Sequence, residues 1–234
     1  MWNCQGSLSL FLISKTIAQE ALPILYGENE FTFNIASWSY PKNSLSSPLI
    51  FGPLGEPHRL HLIRNLRNIQ IIFLVEMHRF PDHWTVARYR GRIEHFIKVL
   101  KQHVDDENQK SLLKTLRIKF CPPSTLMLHE HRSYVMYPLE ALISMSGIEN
   151  VSVEGVEDWF AKCLEMCIKG QGGDVKEIKW PMVRKKTRKA DMHGSKNMYV
   201  TTRKWFQPEL DWAEFAERNG ISRAFSEYIL PGHK

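Results

Sequence analysis

The side chains with chemical potential are ten histidines, four cysteines and a cluster of lysines and arginines. His58 and His61 form one close histidine pair, and His129 and His131 form another. A helix would bring the first pair onto one face. Neither pair has a cysteine or carboxylate at a metal-binding spacing, and His-Glu-x-x-His is absent, so solvated or hydrogen-bonded imidazoles are the preferred reading. Cys163 and Cys167 also share a helical face. No Cys-x-x-Cys occurs, and two small core side chains explain the pair more simply than a metal or redox site. Four cysteines in 234 residues are too few for a disulfide scaffold, which fits a reducing compartment.

Nucleophile and phosphate motifs are equally sparse. Gly-x-Ser-x-Gly is missing, and Gly194-Ser195 falls inside a basic stretch unsuited to holding a triad. Gly170 to Gly173 lack a following Lys-Ser/Thr and do not trail a buried strand, so they fail as a phosphate loop. Asp105, Asp106 and Glu107 form an acidic run of the kind that usually solvates a helix end. These features predict no enzyme, no cofactor and no metal.

The strongest functional signal is basic. Residues 176–204 hold ten Lys/Arg and two acids, a local +8, so the rest of the chain carries −2 of the total +6. Within that stretch Arg184, Lys185, Lys186, Arg188 and Lys189 form a candidate nuclear-import or nucleic-acid patch. Trp180, Tyr199, Trp205 and Phe206 lie nearby, and aromatic rings beside cations suit base stacking. A solvated charged loop is the simpler alternative.

The elements that must carry these residues follow from periodicity. A chain with 43% hydrophobic and 24% charged residues is globular rather than disordered. No apolar run approaches the roughly 18 residues that span a bilayer. Leu8–Ser14 lacks a preceding basic residue and a convincing cleavage site, so it reads as the start of a helix and not as a leader. That helix, predicted over 8–26, has Leu10, Ile13, Ile17, Leu22 and Leu25 near a 3.6-residue period, and Pro23 is expected to end or kink it. A strand follows at Phe31–Ile35. Residues 36–58, with four prolines, read as a loop. Further strands are predicted at 68–75, at 148–153 and in the turn-then-strand stretch 112–120, with a short helix or turn at 58–66, helices at 89–104, 137–145, 157–168 and 208–219, and a last short one at 222–230.

Three stretches repeat an apolar-x-x-apolar-x-apolar pattern: Leu66/Ile69/Ile71, Leu113/Leu116/Ile118 and Ile148/Val151/Val153. Turn, short strand and returning helix are the parts of a leucine-rich-repeat layer, which buries its apolar side only by stacking on a neighbour. The expected fold is α/β: irregular leucine-rich-repeat-like layers with mostly parallel short strands and a helical C-terminal extension. An ordinary α/β or α+β sheet with look-alike strands is the competing reading. The domain plan is a repeat-like domain over 1–173, a basic segment over 174–207 whose composition permits flexibility, and an extension over 208–234 packing on the domain.

Residues 14–33, Ser-Lys-Thr-Ile-Ala-Gln-Glu-Ala-Leu-Pro-Ile-Leu-Tyr-Gly-Glu-Asn-Glu-Phe-Thr-Phe, form a distinctive motif, joined by Leu62-Ile-Arg-Asn-Leu-Arg-Asn-Ile69. Together they resemble a group of fungal F-box-like proteins of unknown function. The resemblance covers about residues 10–35 well and 58–75 fairly. It implies a fold and a partner-binding role, not catalytic residues. The F-box itself has no room ahead of the motif helix, so docking to a ubiquitin-ligase adaptor is not carried over and the chain reads as a truncated product. The expectation is an intracellular, cytoplasmic or nuclear, non-catalytic module that binds an unknown protein partner without a membrane. The alternative is a nuclear protein that binds nucleic acid through residues 176–204.

Overall fold

A computed structural model describes residues 15–36, 48–75, 83–105, 111–121, 136–179, 184–189, 196–201 and 207–223. The elements are α1 (Lys15–Glu28), β1 (Glu30–Ala36), β2 (Asn68–Leu74), α2 (His83–Val104), β3 (Thr115–Cys121), β4 (Asn150–Glu154), α3 (Asp158–Ile168), β5 (Arg184–Lys189), β6 (Lys196–Thr201) and α4 (Trp212–Arg218). Turns of 3-10 helix lie at Pro48–Gly55, Leu60–Asn65 and Tyr137–Ser144.

The first four strands form one all-parallel sheet in the order β1-β2-β3-β4. Chain order equals spatial order, so each strand, turn and helical return adds one layer beside the last, as stacking of the apolar triplets requires. Ile71 pairs with Ile118, and Ile118 with Val153. Phe33 extends the row on β1. The triplet leaders Leu66, Leu113 and Ile148 are all buried with them.

Strict alternation makes the sheet one-sided. On β2, Ile69, Ile71 and Phe73 are buried, while Gln70, Ile72 and Leu74 between them are only half-buried. Leu116, Ile118 and Phe120 repeat this on β3. The buried face packs under α2, whose Tyr89, Ile93, Phe96, Ile97 and Leu100 are in the core. β4 is a sheet edge among the described residues, and its Val153 N–H donates to Glu165 Oε1 on α3 at 2.8 Å, which satisfies an otherwise unpaired edge donor.

Several local expectations need correction. Pro23 does not end α1, which runs on to Glu28. Pro23 lies inside the helix and is itself exposed. Part of the proline-rich stretch is ordered: Pro48–Gly55 forms two 3-10 turns hinged at Gly52, and Phe51 is buried and stacked on Phe96 with centroids 4.6 Å apart. α2 begins at His83 rather than 89. The segment 137–145 winds as 3-10 rather than α-helix. The cationic run is also more regular than a loop, since Arg184–Lys189 pairs antiparallel with Lys196–Thr201.

Gly155 marks a close approach that the sequence pattern concealed. Its φ is 84°, and a Cβ there would sit 1.9 Å from the Phe120 carbonyl oxygen. Near the end of the described chain, Trp212, Phe215 and Ala216 of α4 are buried, and the Trp212 ring meets Phe160 edge-on at 5.1 Å. The readings at 8–14, 37–47, His129, His131, Gly194, Ser195, Trp180, Trp205, Phe206 and 224–230 lie outside the described residues.

Candidate interaction surface

Because buried side chains occupy one face of the sheet, the opposite face presents four in-register rows. Glu30, Asn68, Thr115 and Asn150 form the first row, and Thr32, Gln70, Arg117 and Ser152 the second. Asn34, Ile72, Lys119 and Glu154 form the third, and Ala36, Leu74 and Cys121 the fourth. Where burial is described, no residue of these rows is buried. A parallel sheet ordinarily has both faces covered, because its connections place helices on them. Here, among the described residues, one face stays accessible.

The face is graded. Toward the strand starts it is charged and hydrogen-bonded: Arg117 Nη1 reaches across β2 to Glu30 Oε2 at 3.3 Å, and Thr32 Oγ1 donates to Gln70 Oε1 at 3.3 Å. Arg117 is 57% exposed, so this ion pair contributes little to stability and its cation stays available. Gln70, Arg117, Ile118, Lys119, Ser152 and Glu154 line a shallow depression of about 320 Å³. Toward the strand ends Ile72 and Leu74 form a half-buried apolar centre. An apolar centre with a polar rim is the usual anatomy of a protein-docking patch.

The motif residues at the first turn are structural. Asn29 Nδ2 donates to the Leu25 carbonyl and Asn68 Nδ2 to the Gly27 carbonyl, so two otherwise free carbonyls at the end of α1 are capped. Arg67 Nη1 donates to the carbonyls of Arg64 and Leu66, and Tyr26 stacks on Phe31 at 5.1 Å.

The candidate chemical groups separate. His58 is exposed and its Nε2 lies 3.3 Å from Glu56 Oε2. Burial, followed by proximity to His61, lowers the pKa of His103. Burial pushes the Cys163 thiol up to about 11 and the Cys167 thiol up to about 12. Thiols that stay protonated at neutral pH are poor nucleophiles and poor metal ligands. Among the described residues no group of three or more His, Cys, Asp or Glu could hold a metal ion.

A buried polar junction was invisible in the sequence. Glu140 is 3% exposed, and its Oε2 accepts the backbone N–H of Glu209 at 2.8 Å and of Leu210 at 3.0 Å. Arg90 Nη2 lies 3.1 Å from Glu209 Oε1 and 3.8 Å from Glu140 Oε1, while Arg90 Nε reaches Glu94 Oε1 at 3.3 Å. Burial pushes the Glu140 carboxyl up to about 7, against the opposing pull of Arg90 and the two N–H donors. Only its place in a sequence that otherwise reads as an apolar face, Leu139 to Leu142, could have signalled it.

The cationic residues Arg184, Lys185, Lys186, Arg188 and Lys189 all fall on β5. The segments flanking the β5–β6 ribbon are themselves paired: Ile178 N–H donates to the Glu209 carbonyl and Asp211 N–H to the Lys176 carbonyl, both at 2.8 Å. The basic segment therefore lies between two joined strands of chain rather than between free ends.

Comparison with family models, curated proteins and solved structures yields no match to this chain. Among the described residues no helix is long and apolar enough to cross a membrane.

Proposed function

We propose that this chain is a non-catalytic protein-interaction module that docks a protein partner on the open face of its parallel sheet. The observation that carries the reading is the one-sided burial of β1 to β4, which leaves Gln70, Ile72, Leu74, Arg117 and Lys119 accessible on a rigid platform. The mixed charge of the rim, with Glu30 and Glu154 beside Arg117 and Lys119, suits a partner that carries both signs around an apolar contact. The likeness of residues 14–33 and 62–69 to fungal F-box-like proteins supports a partner-binding role in an intracellular setting, cytoplasmic or nuclear. Adaptor docking for a ubiquitin ligase is not part of this reading.

Capture from the native cell with matched baits tests it. Wild-type chain retains a specific set of proteins, also at about 0.5 M salt, where long-range charge attraction is screened. Arg117→Ala/Ile72→Ala bait loses that set, and Lys162→Ala, on exposed α3 surface, keeps it. An identical set on all three baits refutes the proposal, and so does turnover of a small molecule by the purified chain.

A further inference from the structure

The shallow depression on the open sheet face, about 320 Å³ in volume, has more donors than acceptors. Lys119 brings an ammonium to it, Arg117 a guanidinium, Ser152 a hydroxyl and Gln70 an amide. Arg117 commits Nη1 to Glu30, and Gln70 accepts from Thr32 through Oε1, which leaves its amide N–H groups to donate. Among the described residues the side chains of Lys119 and Ser152 have no hydrogen-bond or ion-pair partner. The opposing acceptor in the depression is Glu154, which stands beside Lys119 in register without closing an ion pair. On the other side of Lys119, across to β2, the register places half-buried Ile72.

We infer that this depression takes the carboxylate of an acidic side chain from a protein partner, while an apolar side chain of the same segment rests on Ile72. The inference rests on the docking role proposed for the open sheet face. A carboxylate is acceptor-only and matches the donor excess, and its bonds to Arg117 and Lys119 are charge-assisted. The charge balance selects a monoanion. Two cations face Glu154 inside the depression and Glu30 at its rim, so a phosphoryl dianion or a nucleic-acid backbone would meet repulsion from both acids. An extended segment sets alternate side chains about 6.8 Å apart on one side. That is the scale of the step from the depression, centred on β3, to Ile72 one strand over. The partner therefore presents an acidic residue two positions from an apolar one.

The test treats the complex of the full chain and its captured partner with a water-soluble carbodiimide, which joins a lysine amine to a carboxylate in direct contact. Mass spectrometry of the digest is expected to show Lys119 amide-linked to an Asp or Glu of the partner, beside the segment that a photoreactive residue at position 72 labels. Lys119→Glu weakens the complex more than about tenfold, because it sets like charges against each other. Lys119→Arg, which keeps the charge, rescues most of that loss without forming the amide link. Glu154→Gln removes the carboxylate of the depression itself and tightens the complex. Both substitutions at Lys119 are on exposed surface and leave the core untouched. Partner labelling from position 72 with no Lys119 link, and an affinity unmoved by Lys119→Glu, overturns the inference and leaves the docking role standing. Loss of the complex on phosphatase treatment of the partner also overturns it, since the anchor is then a phosphoryl group. Absence of partner labelling from position 72 refutes the docking role, and this inference with it.

Discussion

Glu140 and Glu209 are joined by a 2.8 Å hydrogen bond from the Glu209 backbone N–H to the Glu140 carboxyl, across 69 residues of chain. It ties the 3-10 turn beneath α2 to the segment that leads into α4, and it is the polar half of the contact whose apolar half is Trp212 on Phe160. Glu140→Ala leaves two backbone donors and the Arg90 guanidinium without this acceptor, a cost of about 3 kcal/mol. Urea unfolding of the variant checks it. A loss below ~0.5 kcal/mol, the range of an ordinary surface change, would show that the junction is not holding the extension.

The same carboxyl makes stability depend on pH. Its folded pKa of about 7 stands above the ordinary carboxylate value, so the folded chain binds a proton that the unfolded chain has already released. This contribution is complete at pH below the unfolded value and is lost as pH rises through about 7. The neutral acid keeps both N–H bonds through Oε2 and avoids burying a charge. Between pH 5 and pH 8 the melting temperature of the wild type therefore falls, and that of Glu140→Gln falls less. Parallel curves for the two proteins would assign the pH dependence to other groups.

The paired glycines Gly147 and Gly155 separate two costs, since both have φ of 84°. Gly147→Ala meets nothing within 4 Å and carries only the left-handed backbone cost of about 1–2 kcal/mol. Gly155→Ala additionally drives a methyl onto the Phe120 carbonyl and parts β3 from the turn after β4. The expected extra loss is at least about 2 kcal/mol, read from urea midpoints. Equal losses would mean that the turn shifts without penalty.

What the sequence revealed depended on local repetition. The apolar triplets ending at Ile71, Ile118 and Val153 declared the strands, and their spacing by helical stretches declared that the strands run parallel. The Leu210, Trp212 and Phe215 pattern declared the helix α4, whose Trp212 and Phe215 are buried. Non-local facts were hidden. Glu140 finds its partners 69 and 70 residues away. Gly155 is needed because of a carbonyl on a neighbouring strand. The fourth layer, Phe31 to Ile35 on β1, escaped the repeat because Glu28 stands where the triplets have an apolar leader. The open face was likewise unreadable, since a run such as Ile71-Ile72-Phe73-Leu74 looks buried on both sides until register exposes half of it.

The thiol pair on α3 is inert by the same logic of burial. With Cys163 pushed up to about 11 and Cys167 up to about 12, iodoacetamide at pH 8 should alkylate neither in the folded chain, and both in denaturant. Peptide mass spectrometry reads each site separately. Rapid native labelling of Cys163 would contradict its complete burial.

A photoreactive residue at position 72, on the open sheet face, set against one at position 162, on the outer surface of α3, tests the docking account most directly. With the captured partner present, irradiation is predicted to yield covalent adducts from position 72 and none from position 162. Adducts from position 162 alone would place the partner on the helical side and contradict the account.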